Sequence, residues 1–184
     1  MEDAVVAPEA VAVSRRAPLV ARAAGIGAPL LAAACFARFG LGPEAWVAAY
    51  FASVLVVLSA IDLESRVLPN RIVLPSAAAV LLARLVLAPS LEWPVAAAGA
   101  AFVLFLPVLL DPRSMGMGDV KLGLLLGAAL GREVVPGLVI AFLAVFPVAL
   151  FLLARRGRAV RGETLPFGPF LALGGIAALF LADG

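Results

Sequence analysis

The chain contains no histidine and a single cysteine, Cys35. Without histidine there is no Ser-His or Cys-His couple and no HExxH metal site. One cysteine supports neither an internal disulfide nor a cysteine-rich zinc site. Acid-base chemistry therefore falls to Asp, Glu, Lys and Tyr, and no cofactor or metal is expected. Charge is scarce too, at 14% of residues with a balance of +2. That small basic excess does not point to nucleic acid, because the arginines cluster in short segments flanking hydrophobic runs, where they act as topology signals.

What fills the chain is apolar: 64% of residues, with a mean hydropathy of +1.13. Ordinary soluble domains have an apolar share of about 45–50%. Lipid cannot hydrogen-bond to backbone, so the fold class expected is all-α, a polytopic integral membrane helix bundle with six to seven transmembrane elements. Seven apolar elements can be traced, over residues 23–40, 45–61, 72–87, 93–110, 122–131, 134–154 and 165–182. The fifth covers about 20 Å counted from Asp119, at about 1.5 Å per residue, against a hydrocarbon core of about 30 Å. It is short for a span. Residues 1–22 are polar to mixed and read as a flexible cytoplasmic N-terminal segment; residues 23–184 read as a single membrane-embedded domain. Arg15-Arg16 before an apolar run, with Ala32 to Cys35 after it, also loosely resembles a lipoprotein signal, which would remove the first element.

Lysine and arginine supply an independent check, because cytoplasmic flanks carry the excess. With the N-terminus inside, segments 1–22, 62–71, 111–121 and 155–163 are internal and hold 11 of the 14 basic residues. Arg38, Arg84 and Arg132 fall in the outer half. This topology brings Asp62 and Asp119, far apart in sequence, to the same cytoplasmic edge.

An acid at a span's edge is often only a solvated helix-end marker. Two at one depth, each in a distinctive loop, suggest more. Such a pair in apolar surroundings can hold one shared proton: one carboxylate deprotonates water while the other, protonated, donates to a substrate carbonyl oxygen. Gly116 and Gly118 suit a tight loop feeding a helix at Asp119. Gly123, Gly127 and Gly131 continue a four-residue spacing from Asp119, a line along which a partner helix can approach closely. Lys121 reads either as a cation beside the carboxylates or as an interface anchor. Near Asp62, Pro69 biases Leu68 toward an extended conformation and makes Asn70 a turn residue or N-cap. Glu64 is a rival acid, but two residues past Asp62 it lies on another face. Finally, Pro166, Phe167, Gly168 and Pro169 interrupt a helix start on the same inner side, where irregular backbone can border a substrate path or simply kink the helix entry.

Three motifs, Asp62 with Leu68-Pro69-Asn70, Gly116-Met117-Gly118-Asp119-Val120-Lys121, and Leu165-Pro166-Phe167-Gly168-Pro169-Phe170, occur in the order found in the type IV prepilin leader peptidases. The chain resembles that family of membrane aspartyl proteases of the Gly-x-Gly-Asp type. The resemblance implies Asp62 and Asp119 as the catalytic pair and a type IV pilin-like or pseudopilin precursor as protein substrate. It further implies residence in the lipid bilayer of the bacterial inner membrane, with the site facing the cytoplasm. The cut removes a short basic leader, typically after a glycine and just before a hydrophobic helix. Many family members also carry a cysteine-paired N-terminal domain and methylate the new terminus; this sequence resembles a short form without it. The reading from a different class is an ion-coupled carrier or channel with Asp62 and Asp119 in its ion path.

Overall fold

The computed structural model describes residues 8–111, 115–156 and 166–182. Their regular structure is entirely helical: α1 (Pro8–Phe39), α2 (Pro43–Ser65), α3 (Asn70–Leu87), α4 (Glu92–Leu110), α5 (Met117–Leu130), a 3-10 turn at Gly131–Glu133, α6 (Val134–Arg156) and α7 (Gly168–Leu181). Each of the seven expected apolar elements is a helix. Four stretches are long and apolar enough to cross a membrane, Pro43–Ser65, Asn70–Leu87, Glu92–Leu110 and Met117–Phe151, and Ala24–Phe39 and Gly168–Leu181 are shorter apolar helices. The first helix differs in starting at Pro8, ahead of the apolar run from 23. The intervening residues are rich in alanine and arginine, both strong helix formers, and proline is tolerated in a first turn.

Successive helices alternate in direction. Gly127 of α5 lies against the backbone of Ala96 and Ala97, Gly123 against Ala100 and Leu104, and Gly131 against Glu92, so α4 and α5 run antiparallel. Gly131, at φ +57°, turns the chain back. Gly137 of α6 then meets Gly174 and Ala178 of α7, while the Phe142 ring packs 5.5 Å from Phe167 just before α7 begins. α6 therefore returns toward the end of the bundle from which α5 set out.

This arrangement explains the short fifth element. From Leu122 to Leu130, all residues except Leu124 are buried, because α5 is enclosed by α3, α4 and α7. A helix that does not face lipid along its length need not match the bilayer thickness. The expected glycine line is the seam with α4, where alanines face glycines and the two backbones approach closely. Large apolar side chains such as Phe102, Leu109, Val139 and Phe146 point outward, as lipid-facing residues must. The bundle end opposite the aspartates carries a polar cluster. Arg84 pairs with Glu44 at 3.1 Å and stacks 4.8 Å over Trp93, and Glu92 Oε1 accepts from the Arg132 amide at 2.9 Å.

Candidate active site

Asp62 comes from the last turn of α2. That helix ends where Arg66 takes a left-handed conformation (φ 54°, ψ 23°) and its amide donates to the Asp62 carbonyl oxygen at 2.8 Å, an αL cap made without glycine. The Asp62 side chain turns inward, leaving the residue 5% exposed, where a carboxylate without a partner would be strongly disfavoured. Its partner comes from a distant part of the sequence. The Gly168 amide donates to Asp62 Oδ2 at 2.9 Å.

The sequence around Gly168 makes it suited to this task. Pro166 and Pro169 have no N–H, so the donors at this helix entry are the amides of Phe167 and Gly168. Gly168 opens α7, where amides lack intrahelical acceptors and the helix dipole presents its positive end. A β-carbon at Gly168 would lie 2.7 Å from Asp62 Oδ2 and 3.0 Å from its Cγ. Glycine is therefore required by close approach.

Asp119 sits in the first turn of α5, behind an extended Gly116 N-cap (φ −74°, ψ 142°). Its amide donates to the Gly116 carbonyl at 3.0 Å, and its carboxylate accepts from the Gly116 amide, a reciprocal cap. The Asp62 charge acts on the Asp119 carboxyl directly through space, so the two acids are electrostatic neighbours. Both negative groups thus lie at helix N-termini, Asp119 at that of its own helix and Asp62 at that of α7.

Two contacts lock the Asp62 and Asp119 loops together. Leu68 is buried on Gly118: a β-carbon there would come within 2.9 Å of Leu68 Cβ. Lys121 Nζ donates to Asn70 Oδ1 at 2.7 Å, tying the first turns of α5 and α3. This corrects the expected cap: Pro69 is the N-cap of α3 (φ −72°, ψ 120°), and Asn70 lies inside the helix with its side chain turned to Lys121. This tie to Asn70 is neither of the two readings of Lys121, a cation beside the carboxylates or an interface anchor. Glu64 points to solvent.

The structure therefore gathers Asp62, Asp119, Gly116, Gly118, Lys121, Pro69, Asn70 and Gly168 at one end of the bundle. Pro166, Phe167 and Pro169 flank the Gly168 amide; Leu165 lies outside the described residues. Two features escaped residue-by-residue reading. The Gly168 amide was hidden because a backbone donor has no side-chain signature; only the flanking prolines hinted at it. Leu68 reads as an ordinary apolar residue until Gly118 is seen beneath it.

An all-helical bundle of apolar helices, with an acid from each of two separate helices at one end, defines a class of polytopic membrane protein. The family can be given as well. The chain belongs to the type IV leader peptidase family, whose model matches residues 49–153 and so includes both aspartates. Among curated proteins it is 39% identical over 176 residues to a prepilin leader peptidase/N-methyltransferase of Burkholderia pseudomallei (strain 1026b), covering 91% of this chain and 55% of that protein. A protein of the same name from Bacillus subtilis (strain 168) is 35% identical over 161 residues, covering 83% of this chain and 62% of that protein. The chain thus spans less than two thirds of the length of these relatives. No solved structure matches it.

Proposed function

We propose that the chain is an aspartic endopeptidase that removes the short basic leader from type IV pilin-like precursors, with Asp62 and Asp119 as the water-activating pair. The observation that carries the reading is the meeting of two family-matched acids at one bundle end, one of them held by the amide that opens α7. With one proton shared between them, the ionised carboxylate takes a proton from a bound water as its oxygen bonds to the scissile carbonyl carbon. The protonated partner gives its proton to the carbonyl oxygen. Collapse of the tetrahedral diol breaks the C–N bond, the departing amine takes a proton from the pair, and the new leader terminus is a carboxylate. Lys121 and Asn70 hold the two loops in register, and the Pro166–Pro169 entry shapes the approach to Asp62.

The positive-inside bias supports a site on the cytoplasmic side of the inner membrane, since the segments at the aspartate end hold most of the basic residues. An ion-coupled carrier is the weaker reading, because such sites lie near the membrane midplane, whereas these acids sit at helix ends. The test is cleavage of a pilin precursor by purified protein in liposomes, with mass spectrometry of the cut. Asp62→Asn and Asp119→Asn should each abolish leader removal while accumulating like the parent. Substantial cleavage by either variant would refute the pair.

A further inference from the structure

A groove of about 340 Å³ runs between α2 and α7, with Ala24 of α1 on its edge. On α2 it is lined by Val56, Ser59, Ala60 and Leu63, and on α7 by Pro169, Ala172, Leu173 and Ile176. Each set follows i, i+3, i+4, i+7, so each is one ridge along one face of its helix. Because α7 sets out from the level at which α2 ends, Leu63 and Pro169 mark one mouth of the groove and Val56 and Ile176 the other.

Three observations indicate what fits there. The small residues Ser59, Ala60 and Ala172 let another backbone approach closely, the pattern that receives a helix in lipid. The groove is apolar: the Ser59 hydroxyl is turned away to donate to the Leu55 carbonyl at 2.7 Å, and the other lining residues have apolar side chains. Its inner mouth also adjoins the aspartate site, since Leu63 follows Asp62 and Pro169 follows Gly168, the two residues joined by the 2.9 Å hydrogen bond. A comparable apolar groove between α4 and α6 runs instead toward Glu92 and Arg132 at the opposite end of the bundle.

We infer that the α2–α7 groove receives the hydrophobic helix of the precursor, laid along Val56–Leu63 and Pro169–Ile176 so that the bond before that helix reaches Asp62. The inference rests on the peptidase reading. Helix-in-groove recognition reads out anchors at i, i+3, i+4 and i+7, which matches both walls. The groove then acts as a depth gauge: the helix docks, and only the chain emerging from its inner end reaches the carboxyls.

The experiment uses the whole protein in phospholipid vesicles with two substrates, an intact precursor and a peptide holding the leader and cleavage site without the hydrophobic helix. Ala60→Phe, which fills the groove, should raise KM for the intact precursor at least about tenfold and leave cleavage of the peptide unchanged. A benzophenone side chain at Leu63 or Leu173, both about half exposed, should cross-link the precursor's helix in an Asp119→Asn background. The same group at Val135, on the α4–α6 groove, should not. Unchanged KM in Ala60→Phe, or adducts only to lipid or to a second copy of the chain, overturns the groove assignment while parent cleavage leaves the peptidase reading standing. Failure of the parent to cut either substrate overturns both.

Discussion

Replacing Gly168 by alanine tests the link between α7 and Asp62 with one methyl group. The added carbon would lie 2.7 Å from Asp62 Oδ2, whereas ordinary contact begins at 3.4 Å, so the carboxyl must retreat by about 0.7 Å. That movement weakens the 2.9 Å amide bond. A hydrogen bond to a charged group contributes about 1.5–3 kcal/mol. If that support is needed in the transition state, kcat/KM should fall about ten- to 150-fold. The drop should appear in kcat, since the substrate groove is untouched. Stability works as the control, because alanine is favoured over glycine in helices by up to about 1 kcal/mol, opposing any global loss. In an Asp62→Ala background the two nearest atoms, Oδ2 and Cγ, are gone and only Cβ remains, at 3.1 Å, so adding Gly168→Ala should cost less thermal stability in detergent than it does in the parent. Kinetics of precursor cleavage together with this double-mutant comparison separate local displacement from unfolding. Parent-like kcat/KM in Gly168→Ala would refute the claim that the α7 amide holds Asp62.

The other contacts in the bundle give two further tests. Gly118→Ala places a carbon 2.9 Å from Leu68 Cβ and should reduce activity by at least about tenfold, with partial recovery on adding Leu68→Gly, which removes that Cβ; absence of recovery would show that Leu68 is not the obstacle. Gly127→Ala would drive a carbon into the Ala96 carbonyl on the α4–α5 seam, so it should cost about 1–3 kcal/mol as overpacking and lower accumulation, read by membrane yield and thermal denaturation.

The helices and their order were legible because hydrophobic runs bounded by charge and proline record span length directly. Asp62 and Asp119 stood out for a related reason: a charge in such a chain must have a partner or a purpose. The glycine line was legible as a seam, but its partner was not, since spacing shows that something approaches and not what. α4 is the partner because its own Ala96, Ala97 and Ala100 are small, a match that appears only when the two helices are side by side. Asn70 was misread for a physical reason as well. A side chain beside a helix start caps the helix only if nothing stronger competes, and here the Lys121 ammonium does.

The positions of the two acids explain why three distant motifs are needed for one site. Asp62 lies in the last turn of α2, where the helix dipole disfavours negative charge, by about 0.3–1 kcal/mol at exposed sites. The charge of Arg66 at the end of α2 offsets part of that penalty, but none of the described residues of α2 donates a hydrogen bond to the carboxylate. The entry of α7 does, because its positive end and the Gly168 amide meet the carboxylate from the other side. Asp119 needs no such help, since it occupies the favourable end of its own helix and is capped by Gly116. The site is therefore complete only when α7 is docked on α2. Its two prolines remove competing donors at that point, and of the two amides left there, those of Phe167 and Gly168, it is Gly168 that meets Asp62. The same docking of α7 on α2 forms the apolar groove, so the surface offered to a hydrophobic helix and the charge that would cut beside it depend on a single helix contact.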